Sequence, residues 1–359
     1  MKIIQVCPRF FPHIGGVETH VYEISKRLAK KHEVYVYTTD PSNKLPRFDV
    51  IDGIKVRRFW SFAPNDSYFF SPGLYFALKK ENCDIIHAHL YHAFPAIEAV
   101  FARSNKSKFI FNPYFHGESH TKFRNFLFNF YHLVGEKIFQ KADSIICSSE
   151  YEKEILRKFL NYNKVSVIPL GIDVDKFKKN MKKMQEIKTI LYVGRLEKYK
   201  GVDQLIKAMS LLKNYDICLR IIGDGSYRKT LEYIVKKLNL TDKIIFLGRK
   251  NIHEIKDEYG KAEVLVSPSL YESFGIVLIE ALKSGLIVLS TPVGEAPYLI
   301  DKKMILELKR PPDSSDIANK LDGLINNKII LFDEISDDIY NRYSYDAISK
   351  KIETIYLEQ

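Results

Sequence analysis

Two glutamates bracket the stretch ESFGIVLIE, which begins at Glu272 and ends at Glu280. Glu272 stands just before a predicted helix, and Glu280 lies inside it among apolar neighbours. A carboxylate in such surroundings needs a partner, because burying an unpaired charge is costly. Glu280 lies about one turn into the helix, so it and the free N–H groups of the helix start could face one ligand. The alternative is a solvated ion pair with Lys283.

Two cations flank a short loop in TILYVGRLEKYKGVDQLIKAM. A strand is predicted to end at Gly194 and Arg195, and Lys200 and Gly201 precede the next helix. Both cations therefore fall at the carboxyl edge of a sheet. Arg195 can bind a phosphate through its planar guanidinium, and Lys200 as a point charge. One cation after a strand is typical of solvated surface, whereas two around a glycine-bounded loop favour an anion-binding cleft.

Two other strand-to-helix turns are rich in glycine. Gly15 and Gly16 follow the first strand in FPHIGGVETH, and Gly223 and Gly225 follow a later strand in IIGDGSYRK. Such turns let a ligand approach backbone N–H groups at a helix start, where phosphate is favoured, although a simple tight turn is the alternative. Neither turn has the full GxGxxG fingerprint of dinucleotide-binding enzymes, since Arg228 replaces the third glycine of the second one.

Several histidines fall at predicted strand ends of the first half. His87, His89 and His92 belong to HAHLYH, and His13 lies near the first glycine turn. No carboxylate or cysteine stands near HAHLYH at metal-ligand spacing, so we expect its histidines to line a cleft rather than bind a metal. His116 leaves a strand in NPYFHGES, and both a structural and a functional role remain open for it.

The elements that must position these residues alternate along the whole chain. Apolar runs such as KIIQVC, DIIHAH, TILYVG and AEVLVS alternate with helical patterns, which is typical of parallel sheets covered by helices on both faces. The polar, lysine-rich stretch 173–188 predicts a domain boundary. We expect two doubly wound α/β domains, residues 1–175 and 176–340, whose strand carboxyl ends face a common cleft. Residues 341–359 are expected to form a helix that packs on the first domain.

Composition excludes several classes of protein. The 359 residues are 46% hydrophobic and 28% charged, as in a globular protein of two domains. No apolar run reaches the roughly 18 residues of a membrane span, and no signal peptide is evident, so we expect a cytoplasmic protein. The net charge of +11 is spread along the chain, with 24 Lys and Arg against 18 Asp and Glu in residues 1–175. This spread fits an acidic small ligand or an anionic membrane as well as nucleic acid.

Taken together, these motifs resemble those of the retaining glycosyltransferases of family 4, which have the GT-B fold of two facing Rossmann-like domains. The resemblance runs from FPHIGGVETH to the final helix YSYDAISKKIETIY and includes VIPLGID, GRLEKYKG and the IGDG loop. Its most specific part is the E-x7-E element from Glu272 to Glu280.

The resemblance implies a donor site in the second domain. Glu280 would hydrogen-bond the ribose of a nucleotide sugar, and Glu272 would lie by the donor sugar with the backbone N–H groups of Phe274 and Gly275. The loop of Gly223 would contact the donor as well. No cofactor or metal is implied, because the donor is itself a substrate.

The resemblance also implies catalytic roles for His116, Glu272, Arg195 and Lys200. Arg195 and Lys200 would bind the diphosphate, which the turn of Gly15 and Gly16 would approach from the first domain. His116 would lie beside the reacting sugar carbon. Cations and helix starts can stabilise the charge that develops on the leaving group without a divalent metal.

The acceptor would be chosen by the first domain, where His13 and His89 are expected on the acceptor side. Residues 60–76 are rich in aromatics, and residues 121–139 form a basic, amphipathic pattern. Such segments can lie in a membrane interface, although core packing is the alternative. A lipid-linked acceptor and attachment to the inner face of a membrane are therefore expectations.

The sequence as a whole predicts a metal-independent, retaining transferase that moves a hexose of the glucose, mannose or N-acetylglucosamine type from a UDP- or GDP-sugar to an acceptor hydroxyl. The alternatives are a nucleotide-sugar 2-epimerase of the same fold and a catalytically silent nucleotide-sugar binder. No nucleic-acid partner is expected, and a basic nucleic-acid-binding protein is the alternative from another class.

Overall fold

The structure is a computed structural model. It describes residues 1–13, 15–64, 67–115, 135–157, 164–173, 186–212, 214–326 and 341–358. The chain divides into two compact units: the first comprises Met1–Gly171 and Arg342–Gln359, and the second comprises Ile172–Asn341. Most of the predicted linker, residues 173–188, lies outside the described ranges.

An eight-stranded sheet forms the centre of the first unit. Its strands are β1 (Lys2–Val6), β2 (Glu33–Thr39), β3 (Phe48–Ile51), β4 (Ile54–Phe59), β5 (Ile85–His89), β6 (Lys108–Asn112), β7 (Ser144–Cys147) and β8 (Val165–Val167). They lie in the order β3-β4-β2-β1-β5-β6-β7-β8, and only β3 pairs in the antiparallel direction. The order reverses between β1 and β5, where ligands bind doubly wound sheets.

Helices cover this sheet because their apolar residues recur on one side. They are α1 (Gly16–Leu28), α2 (Pro72–Lys80), α3 (Phe94–Ala102) and α4 (Glu150–Arg157). In α1, Val21, Ile24 and Leu28 are buried, as the helical spacing in the sequence predicts. They belong to one apolar cluster with residues of β1, β2 and β4.

A six-stranded, fully parallel sheet forms the centre of the second unit. Its strands are β9 (Thr189–Val193), β10 (Cys218–Ile222), β11 (Ile244–Gly248), β12 (Val264–Ser267), β13 (Ile287–Ser290) and β14 (Leu306–Glu307). They lie in the order β11-β10-β9-β12-β13-β14, so the order reverses between β9 and β12. The predicted fold class, two Rossmann-like α/β domains with doubly wound parallel sheets, is confirmed.

The helices of the second unit follow its strands in turn. They are α5 (Val202–Leu211), α6 (Arg228–Lys237), α7 (Ile252–Lys261), α8 (Ile276–Lys283), α9 (Ala296–Asp301) and α10 (Ser314–Ile325). Helix α7 begins with a capping box, in which Asn251 accepts from the backbone of Glu254 and the Glu254 side chain accepts from the backbone of Asn251. The cap fixes the start of a helix that carries one residue of the site described below.

Helix α11 (Tyr345–Leu357) returns to the first unit and packs on α1. Ile348 and Ile352 are fully buried in the apolar cluster that α1 also joins. Ion pairs flank this contact: Arg27 lies 2.5 Å from Asp346, and Lys31 lies 3.1 Å from Glu353. The His32 ring also contacts Glu353, at 2.9 Å. The end of the chain is therefore part of the first unit's core.

Residues 60–76 and 121–139, the two segments predicted to suit a membrane interface, are described to different extents. Most of residues 121–139 lies outside the described ranges, and at its end Ile138 and Phe139 are buried in core. Residues 60–76 instead expose four aromatic side chains, Trp60, Phe62, Phe70 and Phe76. In the part of the chain that is described, no helix is both long and apolar enough to cross a membrane.

Candidate active site

The loops that follow β9 and β12 meet where the strand order of the second sheet reverses. The backbone N–H of Leu270 donates to the carbonyl of Tyr199 at 2.7 Å. Gly201 has a φ of +66°, and a Cβ there would lie 2.1 Å from the carbonyl oxygen of Pro268. Only glycine allows this approach. The two loops that carry the predicted donor residues are therefore packed backbone to backbone.

Lys200 and Glu272 form an ion pair across these loops, in which the Lys200 ammonium donates to Glu272 Oε2. Their side chains are only 11% and 26% exposed, so the pair is partly shielded from water. Sequence reasoning places both residues at the donor but does not predict that they bind each other. The pair holds a carboxylate and an ammonium group side by side at the carboxyl edge of the sheet.

Arg195 lies at the start of the first of these loops and is exposed. Its guanidinium donates to the Tyr199 hydroxyl at 2.9 Å, and the buried Tyr192 hydroxyl donates to its carbonyl oxygen at 3.0 Å. Both contacts fix the loop, and the cationic group stays open to solvent. Arg195 and Lys200 thus place an exposed cation and a partly buried cation on the same loop.

Glu280 lies on α8 and is partly buried. The hydroxyl of Tyr259, on α7, donates to its Oε2 at 2.9 Å. Burial raises the pKa of Glu280 to about 7, while the Tyr259 hydrogen bond and the charge of Lys256 act in the opposite direction. The partner that the isolated carboxylate requires is therefore Tyr259, which sequence analysis did not single out because a buried tyrosine on a helix is usually core.

Two glycines shape the start of α8. Gly275 precedes the helix with a φ of +86°, which favours glycine, and has no side chain to cap the helix. The backbone carbonyl of Phe274 accepts from the N–H of Glu295 at 2.8 Å, and a Cβ on Gly294 would lie 2.4 Å from that oxygen. Sequence analysis missed Gly294 and Glu295, although a glycine after strand β13 repeats the pattern of the other site loops.

Gly223 lies beside the same edge, after β10. Its φ is +130°, and a Cβ would lie 1.9 Å from the carbonyl oxygen of Gly194. Its N–H donates to the Gly248 carbonyl at 2.8 Å, which ties the ends of β10 and β11 together. The structure thus brings the predicted donor residues of the second unit to neighbouring loops at one sheet edge.

The predicted residues of the first unit near α1 lie at the turn that precedes this helix. Gly15 has an extended backbone with φ −163° and precedes α1, and a Cβ on Gly16 would meet nothing within 4 Å. His13 is exposed. Next to this turn, Arg9 and Glu18 form an ion pair of 3.3 Å. Neither glycine is required by a positive φ, so their proposed use in ligand approach stays a prediction.

His89 does not fit the acceptor-side role predicted for it. It is fully buried on β5, with Nε2 2.8 Å from Gln5 Oε1 and Nδ1 3.2 Å from the Tyr114 hydroxyl. The His87 ring packs against it, tilted by 34° with 4.2 Å between ring centroids, and contacts the Tyr356 hydroxyl at 2.7 Å. The strand buries both histidines because its two faces are covered, so they bond protein groups instead of lining a surface.

Two further expectations concern His116 and metals. His116 lies outside the described residues, so its predicted place beside the reacting carbon stays a prediction. Within the described ranges, no group of three or more His, Cys, Asp or Glu side chains is arranged to hold a metal ion.

Comparison with solved structures identifies the fold. A sucrose-phosphate synthase from Thermosynechococcus elongatus superposes with a TM-score of 0.80 over 99% of this chain and 98% of its own, at 20% identity. Anabaena HepE in complex with UDP superposes with a TM-score of 0.78 over the whole of both chains, at 18% identity. These are GT-B glycosyltransferases, and this chain has their fold.

Sequence comparison gives the family. The family described as "Glycosyltransferase Family 4" matches residues 14–176, and "Glycosyl transferases group 1" matches residues 173–348. Together the two models match residues 14–348, and the chain belongs to the glycosyltransferases that they describe. The resemblance seen in its motifs is therefore confirmed.

Its relatives include enzymes with a named acceptor. The phosphatidylinositol N-acetylglucosaminyltransferase gpi3 subunit of Schizosaccharomyces pombe is 28% identical over 97% of this chain and 78% of its own length. The human phosphatidylinositol N-acetylglucosaminyltransferase has a related subunit that is 26% identical over 99% of this chain and 75% of its own length. An uncharacterised glycosyltransferase of Methanocaldococcus jannaschii is 27% identical over 99% of this chain and 98% of its own length.

Proposed function

We propose that this glycosyltransferase moves a hexose from a UDP-sugar to an acceptor hydroxyl, with the donor bound at the edge of the second sheet. The observation that carries the proposal is the Lys200–Glu272 ion pair beside Arg195, at the reversal of strand order. Glu280 lies on the helix that follows the same loop. Cations suit a diphosphate and carboxylates suit sugar hydroxyls, so this edge offers complementary groups to both parts of a nucleotide sugar.

The chemistry follows from the charge that develops during transfer. The bond between the sugar anomeric carbon and the diphosphate oxygen breaks, and its electron pair moves to that oxygen. Arg195 and Lys200 stabilise the negative charge. The acceptor oxygen bonds to the anomeric carbon from the face that the diphosphate leaves, and its proton passes to a diphosphate oxygen. This route retains the anomeric configuration and uses no protein nucleophile and no divalent metal.

Two findings favour UDP and N-acetylglucosamine among the possible donors. HepE, which shares the fold, is known in complexes with UDP, UDP-glucose and UDP with glucose. The eukaryotic relatives are named phosphatidylinositol N-acetylglucosaminyltransferases. We therefore propose UDP-N-acetylglucosamine as the donor and a membrane lipid as the acceptor, with UDP-glucose and GDP-mannose as rivals in the same assay.

The test is nucleotide binding by isothermal titration, followed by turnover. UDP, GDP and their sugars are titrated into the protein with and without EDTA, and release of UDP is measured with and without a lipid extract. Binding of UDP that survives EDTA, with acceptor-dependent UDP release, is expected. Glu272→Gln is expected to keep much of the binding and lose turnover. If no nucleotide bound, the donor site would be refuted. If the UDP-sugar were converted in the absence of acceptor and no UDP were released, an epimerase would be indicated instead.

An exposed aromatic surface supports peripheral contact with a membrane. Residues Trp60, Phe62, Phe70 and Phe76, here called the aromatic face, are 56%, 60%, 44% and 60% exposed. Phe62 and Phe70 form an antiparallel bridge with backbone distances of 2.8 and 3.0 Å. Their neighbours Ser61, Phe69 and Ser71 are buried, so the aromatic side chains point away from the core. The same turn leads into α2, which ends in two exposed lysines.

Aromatic side chains next to basic ones suit the interface of an anionic bilayer. Trp60 is the chain's one tryptophan and reports on this surface directly. Vesicles containing phosphatidylglycerol are expected to shift its emission to the blue, and vesicles of phosphatidylcholine to do so less. Phe62→Ser with Phe76→Ser should weaken the effect, whereas Leu211→Ser, an exposed apolar residue of the second unit, should not. An unchanged emission spectrum would end the membrane proposal and leave the donor site unaffected.

A further inference from the structure

Tyr259 contacts the carboxylate that we assign to the donor ribose. Its side chain is 1% exposed, and its hydroxyl lies 2.9 Å from Glu280 Oε2. A buried tyrosine hydroxyl requires a partner, and here a partner is the Glu280 carboxyl group. Among the described residues, Glu280 Oε1 accepts no hydrogen bond from the protein, and Glu280 is partly exposed.

The supporting structure makes this arrangement rigid. Tyr259 lies near the end of α7, whose start is fixed by the capping box of Asn251 and Glu254. Glu280 lies on α8, where the flanking residues Ile279 and Ala281 are buried. Helices α7 and α8 therefore place the phenol and the carboxylate within hydrogen-bond distance of each other. One oxygen of the Glu280 carboxyl group thus accepts from Tyr259, and the other accepts from no side chain of the described residues.

We propose that Tyr259 is a positioning residue for donor recognition: by binding Oε2 of Glu280, it orients the carboxylate so that Oε1 accepts from the ribose hydroxyls of the nucleotide. This role rests on the proposed function. It assigns to Tyr259 a share in discrimination between nucleotides with and without ribose hydroxyls, although Tyr259 itself does not touch the nucleotide.

The electrostatics of the pair agree with this role. Burial raises the pKa of Glu280 to about 7, and the Tyr259 hydrogen bond and the Lys256 charge, both from α7, oppose that rise. Loss of the phenol hydroxyl would raise the pKa further, because the charged form would lose a donor. A protonated Glu280 would have less acceptor capacity for the ribose, so the hydroxyl supports both orientation and ionisation.

The test compares UDP with 2′,3′-dideoxy-UDP, which lacks both ribose hydroxyls, by isothermal titration at pH 7.5. We expect the wild type to bind UDP roughly tenfold or more tightly than the dideoxy compound, the size expected for hydrogen bonds to a charged group. Tyr259→Phe keeps the ring and should reduce this preference to about threefold or less, with little change in dideoxy-UDP affinity. A purely structural role would weaken both ligands equally, and that result would overturn the proposal.

A matched control exists in the same unit. The Tyr215 hydroxyl also donates to a carboxylate, Asp322 Oδ1, but Tyr215 precedes β10 and so lies at the opposite end of the strand from the site loops. Tyr215→Phe should leave the UDP preference intact even where it lowers the melting temperature.

A second pair of variants keeps the proposal testable if Tyr259→Phe is unstable. In Glu280→Gln, the preference for UDP over dideoxy-UDP should be lost, and adding Tyr259→Phe should leave the ratio of the two affinities unchanged. An additional loss of preference in the double variant would contradict a role through Glu280. If the wild type bound UDP without preferring it over dideoxy-UDP, the ribose role would be wrong while the donor site stood. If it bound no nucleotide, the proposed function and this inference would both fail.

Discussion

Replacing Glu98 with glutamine is expected to stabilise the first unit at pH 8 and to change little at pH 5. Glu98 lies on α3 and is 6% exposed. Its Oε1 accepts from the backbone N–H of Ser71 at 2.6 Å, whereas its Oε2 is buried and has no hydrogen-bond partner among the described residues. Burial therefore raises the pKa of Glu98 to about 7, and the Ser71 hydrogen bond only partly opposes the rise.

The magnitude follows from the size of this pKa change. Because the folded-state pKa of Glu98 lies above the ordinary value of 4.5, its contribution to the free energy of unfolding is fully present below pH 4.5 and is lost as pH rises through about 7. A pKa rise from 4.5 to about 7 means that the free energy of unfolding is about 3 kcal/mol lower at pH 8 than it is below pH 4.5. Glutamine removes that charge but buries an unpaired NH2 group, at about 1–2 kcal/mol. The net gain at pH 8 should be about 1–2 kcal/mol, and at pH 5 it should vanish or reverse.

Urea unfolding followed by Trp60 fluorescence measures this effect in the right unit. The chain has one tryptophan, and the Trp60 carbonyl accepts from the Ser71 hydroxyl at 2.7 Å, next to the Glu98 contact. Glu154→Gln, which changes an exposed glutamate on α4, serves as the control and should shift the midpoint little at either pH. Equal destabilisation by Glu98→Gln at pH 5 and pH 8 would refute the reasoning, since it would mean that no charge is buried at the higher pH.

Three other predictions concern the donor site and the core. Lys200→Met should abolish nucleotide binding and lower the unfolding free energy of the second unit by about 1–3 kcal/mol, which lies between the losses for exposed and for buried ion pairs. Adding Glu272→Gln removes the unpaired charge, so the double variant should regain part of this stability in thermal melts. Gly223→Ala should lower the melting temperature and eliminate UDP binding, because its Cβ would overlap a backbone carbonyl at 1.9 Å; Gly16→Ala, with open space around it, should fold normally in the same assay. Ile352→Ala should cost about 2–5 kcal/mol in urea unfolding of the first unit, and a loss below about 1 kcal/mol would show that α11 contributes little to its core.

Much of the fold could be predicted because its signals are local. Strands such as KIIQVC and TILYVG read as continuous apolar runs, and a parallel strand covered on both faces requires such runs. The glycine turns could also be predicted from a local signal, because Gly201 and Gly223 occupy backbone conformations that other residues disfavour. The positions of Arg195, Lys200 and Glu272 at one sheet edge follow from the rule that parallel strands end on the same side.

The contacts within the site could not be predicted, because they join residues that are far apart in sequence. The Lys200–Glu272 pair links loops after two strands that become neighbours only in the folded sheet. Tyr259 could not be distinguished from a core residue, since its burial is what any helix-face aromatic would show. His89 was misjudged because strand-end polar residues usually reach the surface, whereas Gln5 and Tyr114 satisfy this imidazole in the interior.

The return of α11 to the first unit has a consequence for the order in which the protein is made. During synthesis, the whole of the second unit emerges before Tyr345–Leu357, so its sheet can close while the first unit still lacks a helix. Val21, Ile24 and Leu28 of α1 stay uncovered on that side until Ile348 and Ile352 arrive. Contacts between such distant segments form slowly because a long loop must close first. The nascent first unit therefore keeps part of an apolar helix face uncovered until α11 docks, and during that interval this face is open to aggregation.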